Sequence, residues 1–432
     1  MKVLILGGGG REHAIAWRLA QSPSVTALYA TPGNPGIARV ATCIAAPANP
    51  EGWLRAAESV EADLTVVGPE APLVAGVVDA FRAAGRAIVG PTSQAARLEG
   101  SKIFSKEFMV RAGIPTGGFV RAETEAEALK ALDRFGCPVV LKADGLAAGK
   151  GVIIANTRAE AEAAIRGLLS GDLVGKAGAR LVVEEFLTGE EVSFIVLSDG
   201  RHVLPLAPTQ DHKAVHDGDT GPNTGGMGAY CDSRILTAAE RADVMDRVIA
   251  ATIERMSAEG SPFTGFLYAG LMMTARGPQV LEYNVRLGDP ETQALMHCLD
   301  SDFAQALLAA AHGDLAGAKL EWRADPSVCV VLASAGYPAT PRTGDAISGL
   351  DEAEALGATV FHAGTRAGAG VIETSGGRVL GVTASGSGLA GAIENAYRAV
   401  DKIHFDGMHY RRDIGHKGLK RWGGTKLRQQ YS

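Results

Sequence analysis

Over residues 1–100, short apolar runs alternate with helical segments, and every run ends in glycine or proline. The runs are Val3 to Leu6, Val25 to Ala30, Leu64 to Val67 and Ala87 to Val89, with helices expected at Glu12 to Gln21 and Leu73 to Ala84. Strands spaced by helices pair in parallel, because a parallel neighbour is reached only through a long crossover, and the helices then cover both sheet faces. The expected fold class is therefore α/β, beginning with a doubly wound parallel sheet. Its strand ends carry Gly7 to Gly10, Pro32-Gly33-Asn34-Pro35-Gly36, Gly68-Pro69-Glu70 and Gly90-Pro91, and such ends form the ligand crevice of an open parallel sheet.

The rest of the 432 residues needs further cores, and about three domains is the expectation from length. After Gly100-Ser101-Lys102 a helix (Ile103 to Ala112) leads to Gly113-Ile114-Pro115. A smaller α+β unit follows, with strands at Val139 to Lys142, Val152 to Ala155 and Leu181 to Glu184. A polar, glycine-rich stretch, Gln210 to Tyr230, reads as a long functional loop without secondary structure. Then come a helix (Ala238 to Ala258), strands at Leu267 to Thr274 and Gln279 to Tyr283, further strands at Val328 to Ala333 and Val379 to Ser385, and a helix from Gly388 to Val400. The end, Gly415 to Ser432, reads as frayed basic surface. The expected units are 1–100, a small lobe with a linker helix at 101–190, a large lobe at 191–324, a C-terminal α/β cap at 325–420, and a basic tail at 421–432.

With 46% hydrophobic and 21% charged residues and a net charge of −6, the chain has no general pull toward nucleic acid or anionic membrane. No apolar run approaches the roughly 20 residues that cross a bilayer, and Val3 to Leu6 runs straight into glycines rather than into a cleavage site. The five cysteines show no CxxC spacing, which suits a reducing compartment. A cytoplasmic protein is expected.

The first glycine run could cradle a phosphate, but it is in the wrong register for a dinucleotide. His13 stands where a third small residue belongs, and Tyr29-Ala30-Thr31-Pro32 brings no acidic group for a ribose. An anion site at Gly9, Gly10 and Arg11 competes with a plain strand-to-helix turn. Lys142-Ala143-Asp144-Gly145-Leu146-Ala147-Ala148-Gly149-Lys150-Gly151 ends like a P-loop, yet a strand follows where a helix should begin. It reads instead as a hairpin flap able to cover polyphosphate. Glu184, Glu185, Glu190 and Glu191 begin at the end of an apolar strand, where buried charge needs a partner. In Glu282-Tyr283-Asn284-Val285-Arg286, strand alternation points Glu282, Asn284 and Arg286 the same way. A carboxylate and an amide oxygen suit Mg²⁺, and Arg286 beside them can meet charge on a transferred phosphoryl group. His212 and His216 form the HxxxH pair of a loop and are not a convincing zinc site.

Taken together, Gly100-Ser101-Lys102, the Lys142 to Gly151 flap, Glu184 to Glu191 and Glu282-x-Asn284-x-Arg286 resemble the ATP-grasp superfamily. More narrowly, the chain is similar to the glycinamide ribonucleotide synthetase family from Met1 to about Lys417. The similarity includes GGREHA at Gly9 to Ala14, VGPEAPL at Val67 to Leu73, KADGLAAGKG, QDHK at Gln210 to Lys213, GPNTGGMGAY at Gly221 to Tyr230 and RLGDPE at Arg286 to Glu291.

The resemblance implies Lys102 and Lys142 on the α and β phosphates of ATP, Gly145, Gly149, Lys150 and Gly151 in the covering flap, and the backbone of Glu185 and Leu187 against adenine. It implies Glu184 on the adenine amino group, Glu191 on the ribose hydroxyls, Glu282 and Asn284 on Mg²⁺ or Mn²⁺, and Arg286 as the catalytic group at the phosphoryl transfer. The family joins glycine to phosphoribosylamine through a glycyl phosphate, and places these substrates around the Gln210 to Tyr230 loop, Asp289 and the first sheet's strand ends. Within those segments the expected contacts are Gly9, Gly10, Arg11, Glu70, Asp211, His212, Lys213, Thr224, Gly225, Gly226, Met227 and Asp289. Lys106, one turn after Lys102, is expected to be solvated. Gly8, where related chains often carry Asn or Ser, is expected to be silent. The expectation is an ATP-dependent carbon–nitrogen ligase acting as a monomer on small molecules, with neither nucleic acid nor membrane as partner. The rivals are another ATP-grasp carboxylate–amine ligase, a nicotinamide dehydrogenase and a catalytically silent nucleotide sensor.

Overall fold

Val3, Leu4, Ile5 and Leu6 are all buried, so the strand Lys2–Gly7 has no solvent face and sits at the centre of a sheet. In the computed structural model, which describes residues 1–146, 151–173 and 179–428, that sheet has five parallel strands. Their order is Thr42–Cys43, Ala27–Pro32, Lys2–Gly7, Leu64–Val67, Ile88–Val89. The order reverses between Lys2–Gly7 and Leu64–Val67, which puts the crevice at Gly7 to Gly10 and Gly68 to Glu70. The helix expected from Leu73 to Ala84 is divided into Glu70–Val74 and Val77–Ala83, because Gly76 between them takes the left-handed conformation (φ 85°).

A four-stranded antiparallel sheet follows, in the order Phe119–Ala122, Leu181–Glu185, Val139–Ala143, Val152–Ala155. The helices Glu125–Phe135 and Arg158–Leu169 pack on it around an alanine-rich core of their own.

The remaining large sheet has nine strands. It runs Gly277–Asn284, Thr264–Thr274, Glu190–Asp199, Thr209–Asp211, Gly228–Cys231, Ser327–Ala333, Arg378–Ser385 and Thr359–His362, with Val203–Pro205 paired beside Glu190–Asp199. Gly228–Cys231 pairs antiparallel with Ser327–Ala333, so one sheet continues from the segment 191–324 into the C-terminal segment. The stretch Gln210 to Tyr230 is therefore not a bare loop. Its ends are strands of this sheet, and Ala214–His216 pairs with Thr220–Asn223 as a hairpin between them; the glycines hid these short strands. The helix expected over Ala238 to Ala258 is continuous, with a π-helical stretch at Met245–Ala250.

The basic end is not frayed over His416–Arg428. His416–Arg428 is helical, and Leu419 and Trp422 pack on the main core. The Trp422 ring meets Tyr230 edge-on at 6.4 Å, and the Arg234 guanidinium lies 4.0 Å over its face. No helix among the described residues is long and apolar enough to cross a membrane.

Candidate active site

A cleft of about 460 Å³ opens where the four-stranded sheet faces the edge of the nine-stranded one, with loops of the N-terminal unit at its far end. Its floor is the edge strand Gly277–Asn284. There the pairing with Thr264–Thr274 slips by one residue, so that Gly270 faces Glu282 while Leu271 faces Val280. Such a bulge re-aims the groups around it. The extra residue is Leu281, whose carbonyl accepts a hydrogen bond from Lys142 Nζ at 2.8 Å.

Glu282 and Asn284 lie on this strand, and Arg286 lies just beyond its end, so strand alternation alone does not aim the arginine. Glu99 does. Its Oε1 accepts from Arg286 Nη2 at 2.8 Å and its Oε2 accepts from the Val285 backbone N–H at 2.8 Å. Arg286 also donates to Asn284 Oδ1 at 3.1 Å and lies 3.4 Å from Glu70. Burial works against the guanidinium charge, but the carboxylates of Glu99 and Glu70 outweigh it and raise the pKa. Lys102, at the start of the helix Lys102–Arg111, sits 3.0 Å from Glu282. The Lys102 charge, helped by Lys213 and Lys142 and opposed by burial, holds the Glu282 carboxyl well below the usual carboxylate range.

A divalent cation fits this donor set. One permanently ionised carboxylate and one amide oxygen share the strand face, and lysines stand ready for phosphate. No cluster of three or more acidic, histidine or cysteine ligands exists among the described residues; a hard cation that keeps waters and takes substrate phosphates does not need one.

At the other end Glu184 lies in the cleft wall on Leu181–Glu185, beside Lys142 on the neighbouring strand. Lys106 is not solvated. It is 2% exposed, and its ammonium stands 3.0 Å from Glu184, because the helix turns this residue inward under the small sheet. Glu185, Leu187, Gly145 and Gly151 also line the cleft, whereas Gly149 and Lys150 lie outside the described residues. Glu191 pairs with Lys213 at 2.8 Å. Burial, with the charges of Glu291 and Glu191, raises the Asp211 pKa to about 7 against the pull of Lys213.

Of the residues expected at the glycine and phosphoribosylamine sites, Arg11, Glu70, Asp211, Lys213, Thr224, Gly225 and Asp289 line the cleft. His212 and Met227 are fully buried and Gly226 lies beneath Pro290, so these three do not line the cleft. The Gly9 N–H donates to Glu12 at 2.6 Å, and Arg11 is engaged by Glu12 at 2.7 Å and the Leu287 carbonyl at 3.1 Å; this turn satisfies itself. A Cβ on Gly8 would come 2.4 Å from the Gly33 carbonyl, so in this chain the position is not indifferent to size.

The sequence reading did not single out Glu99 or Arg378, and it left Lys106 as a solvated helix residue. Arg378 enters from the C-terminal segment, donating to the carbonyls of Gly225 at 2.6 Å and Asp289 at 2.5 Å and pairing with the Asp289 carboxylate at 3.3 Å. Nor did it assign Glu291, which accepts from the Tyr268 hydroxyl at 2.5 Å. The available signal for Glu99 was a carboxylate beside buried apolar neighbours just before Gly100-Ser101-Lys102; for Arg378 there was none.

Comparison with known proteins agrees along the chain. The family model described as phosphoribosylglycinamide synthetase, ATP-grasp (A) domain, matches residues 100–292, the N-domain model 1–99 and the C-domain model 327–417. A phosphoribosylamine–glycine ligase of Xanthomonas axonopodis pv. citri is 53% identical over 427 residues, covering 98% of this chain and 99% of that one. One from Yersinia pestis is 52% identical over 427 residues, covering 98% and 100%. The crystal structure of a phosphoribosylamine–glycine ligase from Thermotoga maritima matches with a TM-score of 0.84 at 35% identity, over 96% of this chain and 100% of that one. A biotin carboxylase complex with β,γ-ATP from Campylobacter jejuni, at TM-score 0.70 and 16% identity over 96% and 93%, shares the fold. With all three domain models matched in order over a cleft built by the same segments, the chain belongs to the phosphoribosylglycinamide synthetase family.

Proposed function

We propose that this chain is an ATP-dependent carbon–nitrogen ligase that joins glycine to 5-phosphoribosylamine, giving glycinamide ribonucleotide, ADP and phosphate. The observation that carries the reading is the single cleft shared by the Glu282, Asn284, Arg286 trio, the buried lysines and Glu184. Adenine lies against the backbone of Glu185 and Leu187 with its amino group toward Glu184, the ribose hydroxyls face Glu191, and Lys102 and Lys142 meet the α and β phosphates. Glu282 and Asn284 would hold a divalent cation, Mg²⁺ or Mn²⁺, which would supply positive charge to offset that of the phosphates.

A carboxylate has no adequate leaving group, so one oxygen of glycine attacks the γ phosphorus and the bond to the ADP oxygen breaks. Arg286, held by Glu99 and Glu70, meets the charge on the transferred group. The phosphoribosylamine nitrogen then attacks the acyl carbon of glycyl phosphate, phosphate leaves with the bonding electrons, and the amine proton passes to a base. Asp211 is the carboxylate in the cleft suited to that proton, since its pKa of about 7 lies near the working pH. Closure of the small lobe over the cleft keeps water from the mixed anhydride; its separate alanine-rich core lets it move as a unit.

In this reading the chain works as a monomer. The five free cysteines suit a reducing compartment, and we assign the cytoplasm. The test is ADP formation with glycine and freshly generated phosphoribosylamine. Turnover that requires both, and is lost in Glu282→Gln, supports the reading; ADP release indifferent to glycine overturns it.

A further inference from the structure

Glu184 is 3% exposed, and two ammonium groups share one of its oxygens: Lys106 Nζ and Lys142 Nζ each lie 3.0 Å from Oε2. The other oxygen, Oε1, is buried and has no hydrogen-bond partner among the described residues. Two cations on one anion is more charge than a buried pair needs, and a buried carboxylate oxygen without a donor is costly. Both excesses have the same resolution if one lysine is shared with a ligand and the free oxygen awaits a donor from it. Lys142 is the shared one, since it lines the cleft and also reaches the Leu281 carbonyl at the strand that carries Glu282. Lys106 is the dedicated one. Its remaining contact is the Thr116 hydroxyl, which accepts from it at 2.7 Å and is itself tied to the Val280 carbonyl at 2.6 Å.

We propose that Lys106 is a positioning residue for base selection: its ion pair holds the Glu184 carboxylate in place, with Oε1 free, while Lys142 serves the phosphates. This rests on the reading above, in which a nucleotide's base faces Glu184. An ionised carboxylate only accepts hydrogen bonds, so it takes the 6-amino group of adenine and repels the 6-oxo group of hypoxanthine or guanine. Without Lys106, engagement of Lys142 by phosphate would leave Glu184 buried and unpaired. The carboxylate would then be drawn after the Lys142 ammonium toward the phosphates, Oε1 would no longer face the 6 position, and the preference for an amino group there would be lost. Burial lowers the Lys106 pKa to about 8, with Glu184 holding it up, so the ammonium persists at neutral pH.

The test is calorimetric binding of Mg-ADP and Mg-IDP, two ligands that differ at the 6 position, to the full chain and its variants at neutral pH. The unmodified protein should favour ADP. Lys106→Gln, which is close in length and uncharged, and Lys106→Met should lower the ADP-to-IDP affinity ratio by about tenfold or more, while Lys106→Arg should keep it within about threefold. Lys106→Gln keeps the test alive if Lys106→Met does not fold. If Gln weakens both ligands by one common factor, Lys106 is a packing residue and the proposal fails. If the unmodified protein binds neither ligand, or both equally, the adenine reading of the cleft fails instead.

Discussion

Asp211 and Glu282 show how neighbours decide what a carboxyl group can do. Both lie in one cleft, yet Lys102 holds Glu282 far down while burial lifts Asp211 to about 7. If ionised Asp211 takes the amine proton, kcat/KM should fall about tenfold per pH unit as pH drops below about 7. Asp211→Asn should remove that limb and leave a slower, flatter profile; a wild-type rate unchanged between pH 6 and 8 would discard the assignment. The sign for stability is opposite. A carboxyl raised in the folded state contributes fully below its unfolded value and loses that contribution as pH rises through about 7.

The last helix is the element whose behaviour departs most from its composition. His416–Arg428 is basic and glycine-containing, yet Trp422 packs on Tyr230 under Arg234, and Arg421 donates to the Ile235 carbonyl at 2.7 Å. Tyr230 in turn bonds Gln210 at 2.5 Å, at the root of the loop that carries Asp211 and Lys213. Trp422→Ala should cost about 1–3 kcal/mol in denaturant unfolding, less than a fully buried tryptophan. If the midpoint does not move, the helix is surface dressing.

At the scale of the whole molecule, one nine-stranded sheet joins the strand that carries Glu282 and Asn284 to the C-terminal segment. Through it Arg378 reaches Gly225 and Asp289, and so fixes the substrate loop relative to the floor. Arg378→Ala should lower kcat/KM for glycine and phosphoribosylamine about 100-fold and leave Mg-ADP affinity within about twofold. Equal loss at both ends would show that the arginine merely stabilises the fold. The N-terminal unit is seated by a comparable closeness. Gly265 has φ +85°, and a Cβ there would come 2.6 Å from the Gly90 backbone, while Thr264 donates to the Gly90 carbonyl at 2.7 Å.

The sequence by itself determined the parallel first sheet, the strand positions that bear Lys142, Glu184 and Glu282, and the family, because these depend on short-range pattern: apolar runs, terminal glycines and fixed spacings. Several things it left open were decided only by the tertiary structure. Lys106 looks like any lysine one turn into a helix until a second sheet closes over it. Arg286 lies past its strand and is aimed by Glu99, far away in the chain. Arg378 reaches the cleft only because the large sheet does not stop at the domain boundary. His212 and Met227, in the same motifs as Asp211 and Thr224, face inward. In each case the deciding quantity is what covers the side chain, and burial is set by elements distant in sequence, where no local pattern carries the information.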